Sequence, residues 1–271
     1  MTESRPILVG LSNPRTAHHL VWFGSQLARA RSAHLVIVSV ILVPPGQSLS
    51  TGARPARTQR RLLRSALQAA VAAGVTAETM VRAGYEVDEA LAEVAATIDA
   101  CLLVVGWSPT PRYARPVDSA MWRLSQDPPC DLLSVHYHEG TQAPRRILLP
   151  VRGGLHADLA AELAVALARD WNATVTVLRA IPEYVPEEEA RIESEAFRML
   201  WEERYPGIVQ ARSRIAGSIR DCILEEAAAH DLVLMGAAAS SRSYPYPFGR
   251  LGEEIVERAS CPVLIAKTER P

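Results

Sequence analysis

Apolar residues recur along this chain in two alternating rhythms. Short continuous apolar runs predict strands buried on both faces, and the stretches between them carry apolar residues at helical spacing. In the second half, Ile147–Val151 predicts a strand and Ala157–Trp171 a helix. Ala173–Ile181 alternates as a strand does, and Glu187–Arg204 predicts a charged, half-exposed helix. Ile208–Ile215 and Leu232–Met235 predict strands, Ile219–Ala229 and Leu251–Ala259 helices, and Val263–Ala266 a last strand. The first half follows the same order, with strands near Ile7–Leu11, Leu35–Val43, Ala77–Ala83, Leu102–Val105 and Leu132–His136. Strict strand–helix alternation predicts parallel sheets with helices on both faces and right-handed crossovers. Ligands of such sheets sit at the carboxyl ends of the strands, where the strand order reverses.

The two halves are copies. Laid over one another at an offset of 140, Arg5, Ile7, Leu8, Ala17, Leu27, Ala28, Arg29, Ala33 and Ile41 meet Arg145, Ile147, Leu148, Ala157, Leu167, Ala168, Arg169, Ala173 and Ile181. At offsets of 130–132, Val87, Leu91, Glu93, Asp99 and Gly106 meet Ile219, Ile223, Glu225, Asp231 and Gly236, and near the ends Cys130 meets Cys261. A period near 135 residues is far too long for a solenoid. It predicts two domains, 1–138 and 145–271, joined by a linker over His138–Pro144.

Composition narrows the chemistry. The 271 residues are 48% apolar and 22% charged, with a net charge of −1, so neither nucleic acid nor anionic lipid is an expected general partner. Lys267 is the only lysine among 29 basic residues, which predicts no internal catalytic, Schiff-base or phosphate-loop lysine. Cys101, Cys130, Cys222 and Cys261 lie in or beside apolar segments, without CxxC spacing, and read as small buried hydrophobes in a reducing compartment. No signal peptide is visible, and the longest apolar stretch, Leu35–Val43, is too short to span a bilayer. A soluble, cytoplasmic chain is expected.

The segment Gly217–Gly236 (GSIRDCILEEAAAHDLVLMG) resembles the third helix and fourth strand of the universal stress protein family. The openings Ile7–Leu11 and Ile147–Val151, and the endings at Pro129–Leu133 and Ser260–Ile265, are similar to its first and last strands. The resemblance covers nearly the whole chain as two tandem copies. It implies two five-stranded, Rossmann-like parallel sheets whose last strands pair in an intramolecular pseudo-dimer. Short segments at Ser12–Ala17, Val43–Ser50 and Pro150–Ala157 are also similar to the soluble tails of some amino-acid permeases and related transporters.

Many members of that family bind ATP through a Gly-x2-Gly-x9-Gly-Ser/Thr loop after the fourth strand. Glycines admit backbone N–H groups to the phosphates, and the following helix offers its N-terminus. By this resemblance the second half has Gly236, Ala239, Gly249 and Arg250, with Arg152 at the position of a first-strand Asp. Spacing is kept, while one glycine has become alanine and the hydroxyl has become arginine. Arg250 and Arg242 can reach phosphate, and Glu253 and Glu254 in the first helical turn would oppose it. The first half has Gly106, then Pro109, which lacks an N–H, then Asp118-Ser119, with Ser12 at the first-strand position. There a helix cap by Asp118 or Ser119 over Ala120–Ser125 fits better than a phosphate site.

Other candidates carry blander readings. His136 and His138 share one face of a strand and read as a surface pair, as do His18 and His19 on a helix, pointing different ways. Glu187-Glu188-Glu189 begins a helix and suits its dipole. Arg54, Arg57, Arg60, Arg61 and Arg64 form a basic stripe, a solvated face or a dock for an acidic partner or lipid headgroup. Tyr244-Pro-Tyr246-Pro-Phe248 either packs over a helix, lids an adenine-like ring or meets a partner, and Trp107 poses the same choice. No GxSxG, HExxH or Cys/His ligand spacing is present, so neither an enzyme nor a metal protein is expected. Two readings remain. One is a stress-response ligand sensor with at most one degenerate ATP or AMP site, in the second half. The other is a nucleotide-free interaction module regulating a membrane transporter.

Overall fold

The computed structural model describes residues 4–11, 14–50, 57–107, 119–137, 143–238 and 246–269. Two compact units divide the chain: Met1–Val135 with Thr268–Pro271, and His136–Lys267. Each is a five-stranded parallel sheet clothed by helices.

In the first unit the strands are β1 (Ile7–Leu11), β2 (Leu35–Leu42), β3 (Ala77–Gly84), β4 (Leu102–Gly106) and β5 (Asp131–His136). The helices are α1 (Pro14–Ala30), α2 (Arg57–Ala72), α3 (Val87–Thr97) and α4 (Ala120–Gln126). The sheet order is β3-β2-β1-β4-β5, so the strand order reverses between β1 and β4. The second unit repeats this with β6 (Arg146–Pro150), β7 (Thr174–Pro182), β8 (Val209–Ala216), β9 (Leu232–Gly236) and β10 (Val263–Lys267). Its helices are α5 (Leu155–Trp171), α6 (Glu187–Arg204), α7 (Ile219–Ala227) and α8 (Arg250–Arg258). Its order is β8-β7-β6-β9-β10, with the reversal between β6 and β9.

The elements follow from burial. All five residues of β1 are buried, as are the first five of β2 and the first four of β4. Such strands must be apolar throughout, because both faces are covered. The terminal strands β3 and β8 are only partly buried and carry Glu78, Arg82, Arg212 and Arg214. Gly24 lets α1 lie close on β1, since a Cβ there would meet Val9 at 2.5 Å.

The duplication extends to individual bonds. Ser32 and Asn172 both take left-handed backbone (φ 51° and 52°) just after α1 and α5. Such a residue ends a helix by folding its orphan carbonyls back onto amides. Ala33 N–H donates to Ala28 O at 2.8 Å, and Ala173 N–H to Ala168 O at 2.9 Å. The arginine–aspartate pair shared by the repeats anchors the first strand of each unit. Arg5 meets Asp99 at 2.8 Å, and Asp231 accepts from the Arg145 and Arg146 amides at 3.0 and 2.9 Å. Burial pushes the Asp231 carboxyl up, but the Arg146 guanidinium and those two amides outweigh it and hold it below its ordinary value.

The single lysine, Lys267, is buried at the end of β10, and burial pushes its ammonium below the usual range. The sequence shows the type and count of basic residues, not the burial of this one. Cys130, Cys222 and Cys261 are buried and Cys101 partly so, and all four are free thiols. No described helix is long and apolar enough to cross a membrane.

Candidate functional site

In the second unit, the carboxyl ends of β6 and β9 lie side by side at the strand-order reversal. β6 leads into Arg152, Gly153 and Gly154, then α5. Gly153 and Gly154 have φ of 102° and 93°, and nothing within 4 Å would meet a Cβ on either. Left-handed backbone favours glycine, so this pair opens the loop, and the dipeptide is a turn signal readable in the sequence. Gly154 caps α5 without a side-chain hydrogen bond, and Arg152 beside it is exposed.

β9 ends at Gly236, and here packing explains the glycine. A Cβ would stand 2.6–2.8 Å from the backbone of His156 and Ala157 at the start of α5. The residue lets helix and strand ends touch, whatever else the loop does. Ala237 N–H then donates to Ala266 O at 2.8 Å, and Ala238 N–H to Phe248 O at 3.0 Å. The latter bond closes the base of the loop. Ala239 and Arg242 lie outside the described residues, as does Tyr244.

Phe248 is 2% exposed and packs beside Gly252. Of the three readings of the aromatic stretch, packing over the helix holds for this residue, and Tyr246 is half-buried. Gly249 follows with φ 91°, and a Cβ on it would meet Ala238 Cβ at 2.5 Å. It caps α8 with no side-chain hydrogen bond, and the first helical bond is Glu253 N–H to Gly249 O at 3.3 Å. The amides of Arg250, Leu251 and Gly252 therefore precede the ladder and take no helical carbonyl. Positive helix-end charge and amides outside the ladder are the ingredients of an anion cradle.

Four charged side chains surround that cradle. Arg250 is 76% exposed and holds Glu254 at 2.9 Å; Arg220 approaches the same carboxylate at 3.7 Å. Glu254 is thus neutralised locally, which the sequence did not show. Glu253 is half-buried, and burial, with Glu257 adding to it, pushes its carboxyl up to about 7. Near neutrality it is only partly ionised, which weakens its opposition to a phosphate.

The first unit differs at each point. Ser119 Oγ accepts the Trp122 amide at 3.1 Å, so α4 is capped by its own chain. Arg123 is turned to Asp88 of α3 by two bonds of 2.6 Å and also meets Glu86 at 2.8 Å. At the reversal of strand order lies a cavity of about 100 Å³, lined by residues such as Val40, Leu91, Val105, Met121 and Leu124. Its described side chains are apolar and offer a phosphate no charge. Trp107 is buried. Ser12, Pro109, Asp118 and His138 lie outside the described residues, as does Arg54 of the basic stripe. His18 and His19 do not diverge fully: their rings meet edge-on with centroids 5.5 Å apart. No group of three potential metal ligands occurs among the described residues.

Comparison with known proteins bears on this arrangement. The pattern of the Universal stress protein family matches twice, over residues 3–136 and 144–267. The chain belongs to the universal stress protein family. Solved structures agree with its tandem form. A universal stress protein from Archaeoglobus fulgidus superimposes with a TM-score of 0.69 at 14% identity, covering 97% of this chain and 98% of that one. A putative universal stress protein from Pseudomonas aeruginosa gives 0.65 at 18% identity, covering 98% and 94%. The cytoplasmic domain of a prokaryotic cation chloride cotransporter gives 0.67 at 14% identity, covering 98% and 96%. At these identities the likeness is one of fold. No match is found among curated proteins. As a tandem universal stress protein, the chain carries two copies of one fold, whose last helices start differently: α4 at Ser119, whose hydroxyl accepts the Trp122 amide, and α8 at Gly249, which has no side chain.

Proposed function

We propose that this universal stress protein is a non-catalytic regulatory module that binds an adenine nucleotide, ATP or AMP, at one site in its second unit. The observation that carries the reading is the glycine start of α8, where Gly249 takes left-handed backbone and has no side chain of its own to fill the helix end, set against the Ser119-capped start of α4. Backbone amides at α8 take the phosphate. Arg250 and Arg152, both exposed, supply cations beside it. The open Gly153–Gly154 turn leaves room at the mouth. The sequence carries no GxSxG, HExxH or Cys/His ligand spacing, which supports sensing rather than turnover.

Calorimetric titration of the purified chain with ATP and with AMP tests this, alongside denaturation of a sample to release co-purified nucleotide. Binding in the micromolar range is expected, weakened at least tenfold in Arg250→Glu and Arg152→Glu and unchanged in Ser119→Ala. Absence of binding at millimolar nucleotide overturns it. The alternative, a nucleotide-free module docking on a membrane transporter, is favoured by the apolar strand ends of the first unit. Nucleotide-independent co-purification with a transporter is the result that would establish it.

A further inference from the structure

The second helices of the two units, α2 and α6, occupy equivalent places in the repeat and have diverged in opposite directions. α2 carries Arg57, Arg60, Arg61 and Arg64 and no acidic residue, a net charge of +4. α6 carries seven glutamates against three arginines, a net charge of −4.

Both charges lie on exposed faces. Arg57, Arg60, Arg64 and Val71 fall on one stripe of α2 at helical spacing. The four arginines are exposed, Val71 is 60% exposed, and none of the arginines has an ion pair among the described residues. α6 buries Ala190, Phe197 and Trp201 on one side. Its opposite side shows Ile192, Met199 and Leu200, which are 56%, 49% and 64% exposed. Exposed Glu189, Glu195 and Glu203 rim that apolar strip, and none of them has an ion pair among the described residues. An apolar strip with an unneutralised acidic rim is a partner surface rather than a solvated one.

We propose that α6 of one copy of this chain docks on α2 of another, head to tail. Like charge opposes α6 on α6 and α2 on α2, so a symmetric contact is disfavoured and the unlike pair is favoured. Every copy carries both halves of the match, so the partner is present at the chain's own concentration. The contact does not close on itself: each added copy presents a fresh α2 and a fresh α6, and growth continues into chains or rings. One helix face about 25 Å long and about 10 Å wide is smaller than the roughly 1,200 Å² of a stable interface. The association is therefore weak, steered by charge and sensitive to salt.

Sedimentation velocity on the full chain reads this directly. In about 20 mM salt the mean mass should rise steadily above 29.5 kDa with protein concentration, up to about 300 µM. It should return to the single-chain value in about 500 mM salt. R60E/R64E and E189R/E203R, each confirmed folded by circular dichroism, should associate at least tenfold more weakly. Mixed one to one, they should associate again, because one keeps an intact α6 and the other an intact α2. A wild-type chain that stays single at the highest concentration and lowest salt overturns the proposal. So does association that survives both reversals, which would place it on another surface. A mixture that remains single overturns it too, and leaves a different protein as the occupant of α6.

Discussion

Replacing Asp88 should loosen the first unit by removing the link between α3 and α4. The Asp88 side chain is 9% exposed, and its two oxygens accept from Arg123 Nε and Nη2, both at 2.6 Å. Two parallel bonds from a guanidinium to a buried carboxylate are the strong form of an ion pair, and the contact holds Arg123 above its ordinary pKa. Breaking a buried pair from one side costs about 3–5 kcal/mol. Two facts lower that figure for Asp88→Ala: Arg123 is 34% exposed and can take water, and Glu86 remains at 2.8 Å. About 2 kcal/mol is therefore expected. Arg123→Ala should cost more, about 3 kcal/mol, because it leaves a nearly buried carboxylate unpaired. The double variant should be less destabilised than the sum, with a coupling of about 1–2 kcal/mol. Urea unfolding followed by tryptophan fluorescence measures this, reading midpoints at constant slope. Two units need not unfold together, so hydrogen exchange of α3 and α4 assigns the transition to the first. A cost for Asp88→Ala below about 0.5 kcal/mol, or no coupling, would refute the reasoning. The same substitution should leave the proposed nucleotide binding in the second unit unchanged.

Other outcomes follow from single environments. Burial raises the Glu253 carboxyl from its ordinary 4.5 to about 7, so the folded chain holds that proton more tightly than the unfolded one. Stability then falls as pH rises from about 4.5 to about 7 and stays reduced above that. Glu253→Gln should stabilise at pH 8, on the order of 1–2 kcal/mol for a half-buried group, with no gain at pH 4, measured by melting against pH. Gly236→Ala forces a Cβ to 2.6 Å from backbone and should cost about 3 kcal/mol, read from urea midpoints. Burial pushes the thiols of Cys130 and Cys261 up to about 12 and about 11, and raises Cys101 and Cys222 as well. Thiol reagents at neutral pH should label Cys101 first, as the one not fully buried, and the others only on unfolding.

Much of the fold is legible because the strands are covered on both sides, and a continuous apolar run such as Leu232–Met235 suits little except a doubly covered strand. The predicted span of α6 matches to the residue, since Pro186 and the run of glutamates mark its start and the aromatic pair Phe197 and Trp201 its buried side. Its exposed Ile192, Met199 and Leu200 are not legible. A helix apolar on two sides does not reveal which one the core takes. The candidate site's spacing is readable, and the packing around it is not. Gly236 stands where the resemblance expects a phosphate glycine, and the structure adds its close contact with α5, a meeting of segments some 80 residues apart. The motif places Gly249, and the structure adds both its left-handed backbone and its approach to Ala238. Ser119 is legible as a cap because hydroxyls before a helix act locally. The Asp88–Arg123 pair and the half-burial of Glu253 arise only from tertiary packing, and no local pattern announces them.

The contrast between Ser119 and Gly249 changes what a single mutation can achieve. Where two identical subunits assemble, each substitution appears twice, and losing a pocket in one means losing it in both. Fusing the copies into one gene frees them from that symmetry. One copy can seal its helix end with a hydroxyl and serve as a scaffold, while the other starts its helix on a glycine. Under the proposed function, sensing through such a chain has one input per molecule, a graded response without the cooperativity that paired sites allow.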